Sequence, residues 1–160
     1  MVADATLAAV AALLVTASFP LYLKGAWIII DADVVTWGVL THHLKYIVVG
    51  LALNTGVVLV WMVPRLSSQL GGAAALHSVL GLQAYAMLTF ALTGIVRILA
   101  IKRRENLYRD PDPDVSLSDL HPEMDHWRKR LRIGVAGYVL FWILAWVVGV
   151  ARFLFKYGYL

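Results

Sequence analysis

The chain has 160 residues, 61% of them hydrophobic and 15% charged, with a net charge of +4 and a mean hydropathy of +0.74. Water-soluble domains carry about a quarter charged residues, and here no Asp or Glu falls between Asp33 and Glu105 or after Asp125. That segregation excludes a soluble globule, and the absence of cysteine excludes disulfides, thiolate metal sites and thioether-linked haem.

A span needs roughly 20 apolar residues to cross about 30 Å of hydrocarbon. The first predicted span covers 5–30, with a kink expected at Pro20 and Lys24 placed to snorkel. Its leading stretch, MVADATLAAVAALLVTASFP, lacks a positive n-region and carries Asp4, so it reads as a retained span rather than a cleaved signal. The second span covers 39–63 and is closed by Pro64-Arg65; the third covers 73–101, after a break at Gly71-Gly72; the fourth covers 131–155. Short connections between the first three predict antiparallel neighbours. The whole chain, 1–160, therefore reads as one all-α transmembrane domain, a four-helix bundle of up-down topology.

The third connection differs from the others. KRRENLYRDPDPDVSLSDLHPEMDHWRKRLR carries eight basic and seven acidic residues and three prolines. Asp110 to Asp114 cannot be helical through Pro111 and Pro113, which predicts a solvated loop. PEMDHWRKRLR is expected to be helical again, starting at Pro122 and leading into the fourth span. The basic residues of this segment place the loop 102–126 in the cytoplasm of a cell-membrane protein and both termini outside. They crowd at span ends without aromatic interleaving, so the partner is the lipid bilayer and not nucleic acid.

The five histidines sort by depth. In THHLKYIVVGLALN, helical spacing puts His43 on one face with Ile47, Gly50, Asn54 and Trp61, and His42 on another with Tyr46, Val49 and Leu53. Glycine and asparagine in a span belong inside a bundle, so His43 faces inward and His42 faces lipid or headgroups. His126 shares its face with Arg130, Ile133 and Gly137. A glycine two to three turns from each histidine leaves room for a large planar ring, and two neutral imidazoles would supply the axial ligands of haem b. Arg97, with Lys45 or Arg130, would pair with the propionates. Against this stands a plain interfacial role for both imidazoles. Arg97, with Gln83 and Thr93, also reads as a buried polar seam, Asn54 as interhelical hydrogen-bonding glue, and the Trp and Tyr residues as membrane anchors. His77 opens the third span at the opposite face, where one imidazole without a partner does not define a site; His121 is expected to be exposed. No catalytic triad order, phosphate loop or HExxH is present, and no carboxylate lies deep in a span.

The runs HHLKYIVVGLALN, HSVLGLQAYAMLTFALTG and HWRKRLRIGVAGYVLFWILAWVVG resemble the core of the cytochrome b561 superfamily, and also the CtaM-like four-helix family of cytochrome oxidase assembly proteins. The resemblance covers about residues 40–155 and is one of spacing. It implies a paired-ligand position at His43 (or His42) and His126, and a second site at His77, for which Met62 is the one soft ligand in reach. The implied function is respiratory electron transfer or maturation of a haem–copper oxidase, with respiratory-complex subunits as partners. A cofactor-free membrane assembly or scaffold subunit is the alternative, and a small transporter ranks last.

Overall fold

Four helices make up nearly all of the computed structural model, which describes residues 2–68, 71–112 and 115–159. They are α1 (Val2–Ile30), α2 (Trp37–Val57), α3 (Gly72–Arg104) and α4 (Met124–Lys156). Each is long and apolar enough to cross a bilayer. The bundle is apolar on its outside, with Leu23 70% and Val60 77% exposed, while Ser18 and Asn54 are buried within it. Only a lipid surrounding makes that distribution favourable. The chain is an all-α, multi-pass membrane protein.

The helix ends follow from local chemistry. Thr36 caps α2, its Oγ1 accepting from the Val39 N–H at 3.3 Å. α1 runs on through Pro20. α2 continues past Val57 as a wide π turn, Val58–Met62, and a tight 3-10 turn, Val63–Ser68. Proline at 64 cannot donate, and its ring crowds the carbonyl four residues back in a regular helix. The wider turn, with the Val63 N–H on the Val58 carbonyl, carries the chain past that conflict, so Pro64-Arg65 loosens the helix rather than closing it. α3 opens at the expected glycine break, Gly72 taking φ +51°. It closes on Asn106 at φ +56°, with the Leu107 N–H on the Lys102 carbonyl at 3.0 Å and the Asn106 N–H on the Arg103 carbonyl at 3.2 Å. This is a Schellman cap, and asparagine tolerates the left-handed residue it requires.

The described part of the solvated loop expected at Asp110 to Asp114 is as read, while the residues on either side of it are packed. Residues 110–112 are non-helical and Asp110 and Asp112 are exposed; Pro113 and Asp114 lie outside the described residues. Leu107 and Tyr108 are buried, however, and the Trp37 N–H donates to the Tyr108 carbonyl at 2.9 Å. Burial raises the Tyr108 phenol above its ordinary pKa. Leu117 and Leu120 pack on Met124 and Trp127. His121 is not simply exposed either: its ring stacks on Trp127 at 4.5 Å, and its Nδ1 accepts from the Glu123 N–H at 3.1 Å. α4 begins at Met124, two residues beyond Pro122, and runs without a break into the fourth span.

α1 packs chiefly on α2, and α3 on α4; the two hairpins meet mainly where α1 touches α4. α2 and α4 therefore lie on a diagonal of the bundle. The hairpins are joined by an aromatic layer in which Phe19 sits 4.0 Å and Tyr22 5.4 Å from Trp142, centroid to centroid.

Candidate functional site: a cavity at the terminal end of the bundle

At the end carrying the 105–123 connection, the helical spacing of α2 acts as expected: His42 is exposed and His43 turns inward. The partner of His43 lies on α1, where the Gly25 carbonyl is 2.8 Å from its Nδ1. A carbonyl can only accept, so Nδ1 carries the proton and Nε2 the lone pair. Gly25 permits this approach, since a Cβ there would stand 2.8 Å from Ile47 Cδ1. His126 occupies the first turn of α4 with its side chain 73% exposed, its Nδ1 3.9 Å from a Glu123 carboxylate oxygen. Arg97 is exposed, its guanidinium 5.7 Å from the Trp127 ring. Gln83 and Thr93 are exposed too, so this polar stripe faces outward and is not a buried seam. His43 and His126 are held by different neighbours on diagonal helices.

The glycines expected to leave room for a ring are filled by the protein itself. A Cβ on Gly50 would be 2.9 Å from the Tyr22 ring, and one on Gly137 would run into the Met87 thioether. On Gly134 it would be 2.6 Å from the Ala91 nitrogen, and on Gly94 it would collide with the Trp127 carbonyl. Small residues in a span admit whatever can approach most closely, and here that is the neighbouring helix.

The middle of the bundle holds a node of polar side chains, of which the sequence reading placed Asn54 inside but missed the tyrosines. Tyr138 donates to the Tyr22 hydroxyl at 3.1 Å, and Asn54 is buried in the same bundle interior. Thr55 Oγ1 and the Tyr85 hydroxyl are 2.9 Å apart. α1, α3 and α4 each contribute one tyrosine, and α2 contributes Asn54 and Thr55. Sequence alone assigned these tyrosines to anchoring, yet Tyr85 and Tyr138 stand near the midpoints of their helices, far from either membrane surface. That depth was the available signal.

Beyond the node, toward the end that carries both termini, the four helices enclose a cavity of about 200 Å³, open on one side. Asn54 and Tyr85 line it, with Ser78 and His77 of α3. Alanines at 8, 11 and 12 of α1 line it together with Gly81 and Ala84 of α3 and Ala145 and Gly149 of α4. These short side chains leave space, and a Cβ added to Gly81 would meet no atom within 4 Å, although Gly149 is covered by the His77 ring. Trp61 and Met62, in the wide turn after α2, form part of the wall; such turns are frequent at functional sites. Arg65, Arg152, Lys156 and Tyr157 also line it. Among the described residues the lining thus has three cations and no carboxylate.

His77 is held on this wall by two features of α4. Its Nδ1 is 2.8 Å from the Ala145 carbonyl, which leaves the lone pair on Nε2. Its ring lies against Gly149, where a Cβ would be 2.6 Å from Cε1. Of the histidines named from sequence, His77 alone lines the cavity. Among the described residues no group of three or more His, Asp or Glu is placed to hold a metal ion.

A model of the family described as a domain of unknown function, DUF7321, matches residues 4–158. The match spans nearly the whole chain, and the chain belongs to that family. No curated protein and no solved structure matches it.

Proposed function

We propose that this DUF7321 protein is a membrane b-type haem protein, serving respiratory electron transfer or haem–copper oxidase maturation, with His77 as its iron ligand. The observation that carries the reading is the His77 imidazole on the cavity wall, its tautomer set by the Ala145 carbonyl. A backbone carbonyl on one nitrogen is the usual support for a histidine that ligates through the other. The remaining residues suit the group in kind. The thioether of Met62 is in the same wall, tryptophans and alanines offer apolar surface, and Arg65, Arg152 and Lys156 match carboxylate side groups. The enclosed volume, about 200 Å³, is below the roughly 300–1,000 Å³ of a full small-molecule site, so a macrocycle fits only with part of its ring in the open side. When bound, haem would supply one-electron redox chemistry; the chain's own part is to fix the imidazole, exclude water and neutralise the acid groups.

In this reading the loop between α3 and α4 is cytoplasmic, by its Lys and Arg content, and the cavity opens near the opposite surface. The packed half of the bundle favours a second reading, a cofactor-free assembly or scaffold subunit. Its glycines at 50, 134 and 137 seat neighbouring side chains and backbone, as a purely structural bundle would. The visible spectrum of protein purified after haem supplementation separates the two. The haem reading expects a Soret band with sharp α and β bands on reduction; a colourless preparation contradicts it and leaves the scaffold.

A further inference from the structure

We propose that the outward face of α3 binds a second copy of this chain, with the two Gln83 side chains paired across the seam. α3 carries two stripes at the spacing of a coiled-coil contact. On one side Ala84, Ala91 and Ile98 are buried against the rest of the bundle. On the opposite side Val79, Gln83, Ala86, Phe90, Thr93 and Arg97 are all exposed. The hydroxyls on this outer face are satisfied within the helix: Thr93 donates to the Phe90 carbonyl at 2.7 Å and the neighbouring Thr89 to the Tyr85 carbonyl at 2.9 Å. Gln83 differs. Among the described residues its amide has no hydrogen-bond partner, and it is not among the residues that line the cavity. Depth makes this costly. The helix from His77 to Arg97 is about as long as the hydrocarbon is thick, and Gln83 lies about 9 Å inside its outer edge, further than a glutamine can extend. An amide held there in lipid has lost its water and gained nothing in return.

Whatever satisfies this amide must bring a donor and an acceptor to the same depth. Copies of one membrane protein insert in one orientation, so a two-fold axis relating them runs along the membrane normal. Such an axis sets each residue of the outer stripe opposite itself at its own level. A carboxamide is complementary to itself there, each giving an N–H to the other's oxygen. Ala86, one turn further on, has the short side chain that lets two helices approach closely. Arg97 is the one residue of the stripe that symmetry sets against a like charge. It stands about 21 Å along the helix from Gln83, at the inner boundary, with its guanidinium 5.7 Å from the Trp127 ring of its own α4. Helices that cross at Gln83 by about 20° are about 7 Å apart sideways at that level, so each guanidinium turns to headgroups and water.

The chain has no cysteine, so single-cysteine variants report contacts without background. In liposomes, oxidation of Ala86→Cys is expected to give a disulfide-linked dimer, whereas Leu140→Cys, exposed on α4, gives none. Energy transfer between separately labelled copies, followed as added lipid dilutes the protein, yields the dissociation constant of the dimer. Gln83→Leu should raise that constant about tenfold, the effect of an interhelical hydrogen-bonded pair in lipid. This variant puts an apolar side chain on a lipid-facing position, so it should fold as the parent does. Energy transfer absent from the parent at every dilution overturns the dimer, and a dissociation constant unchanged by Gln83→Leu overturns the pairing. If Ala86→Cys cross-links to a different membrane protein and never to its own copy, the face belongs to that partner and the second copy is overturned.

Discussion

The two ends of this bundle are built from similar residues and come out opposite. At the end carrying the 105–123 connection, glycines face large groups or backbone: Gly50 receives Tyr22, Gly137 receives Met87, and Gly134 touches Ala91. At the terminal end Gly149 receives the His77 ring, but Ala8, Ala11, Gly81 and Ala145 line a cavity. Histidines mark both ends. His43 at the first end holds its Nδ1 on the Gly25 carbonyl just as His77 holds its own on Ala145, and His126 is exposed; what sets His77 apart is that it lines the cavity. A glycine in a membrane helix is thus not evidence of space. Space depends on what the facing helix presents at that level.

Substitutions can break this comparison. The largest effect is expected from Gly134→Leu, because a Cβ there already meets Ala91 backbone at 2.6 Å. It should cost about 3 kcal/mol or abolish folding, read from unfolding in mixed micelles. The matching change on the other side, Gly81→Leu, meets open space and should leave stability within about 0.5 kcal/mol while reducing porphyrin binding. Equal damage from both would erase the distinction between the ends. Next in size is Tyr138→Phe, which removes the hydroxyl that donates to Tyr22 and should cost about 1–2 kcal/mol. Asn106→Ala, at φ +56°, should cost about 1 kcal/mol by placing a Cβ-bearing residue without a local hydrogen-bonding side chain in the left-handed region. His126→Ala, at an exposed ring, should change stability by less than about 0.5 kcal/mol.

Much of the architecture was legible in the residues. Four apolar runs gave four helices, all-α and of spanning length, and the Gly71-Gly72 break became the start of α3. Periodicity also separated His42 from His43 and put Gly50 and Asn54 inside. What periodicity cannot supply is the partner across the interface. It turned His43 inward but could not name Gly25 of α1, and it set Gln83, Thr93 and Arg97 on one stripe that read as a buried seam, whereas the stripe faces out. Tyr22, Tyr85 and Tyr138 were taken for anchors because composition does not weigh depth, and the node they form exists only once both hairpins meet. Leu107 and Tyr108 fall inside the stretch read as the polar loop 102–126, yet both are buried, and the Tyr108 ring lies 5.9 Å from that of Trp37 at the start of α2. The cavity was the least legible feature. It is a gap, made by residues from four separate runs, and no one of those runs contains it.

The central claim is that chemistry resides at the terminal end, on His77. A haem titration followed at the Soret band tests it, with His77→Ala beside a His43→Ala, His126→Ala double variant. The account predicts that the band is lost in the first and kept in the second. A band that survives His77→Ala and vanishes in the double variant would contradict it and return the iron to the other end of the bundle.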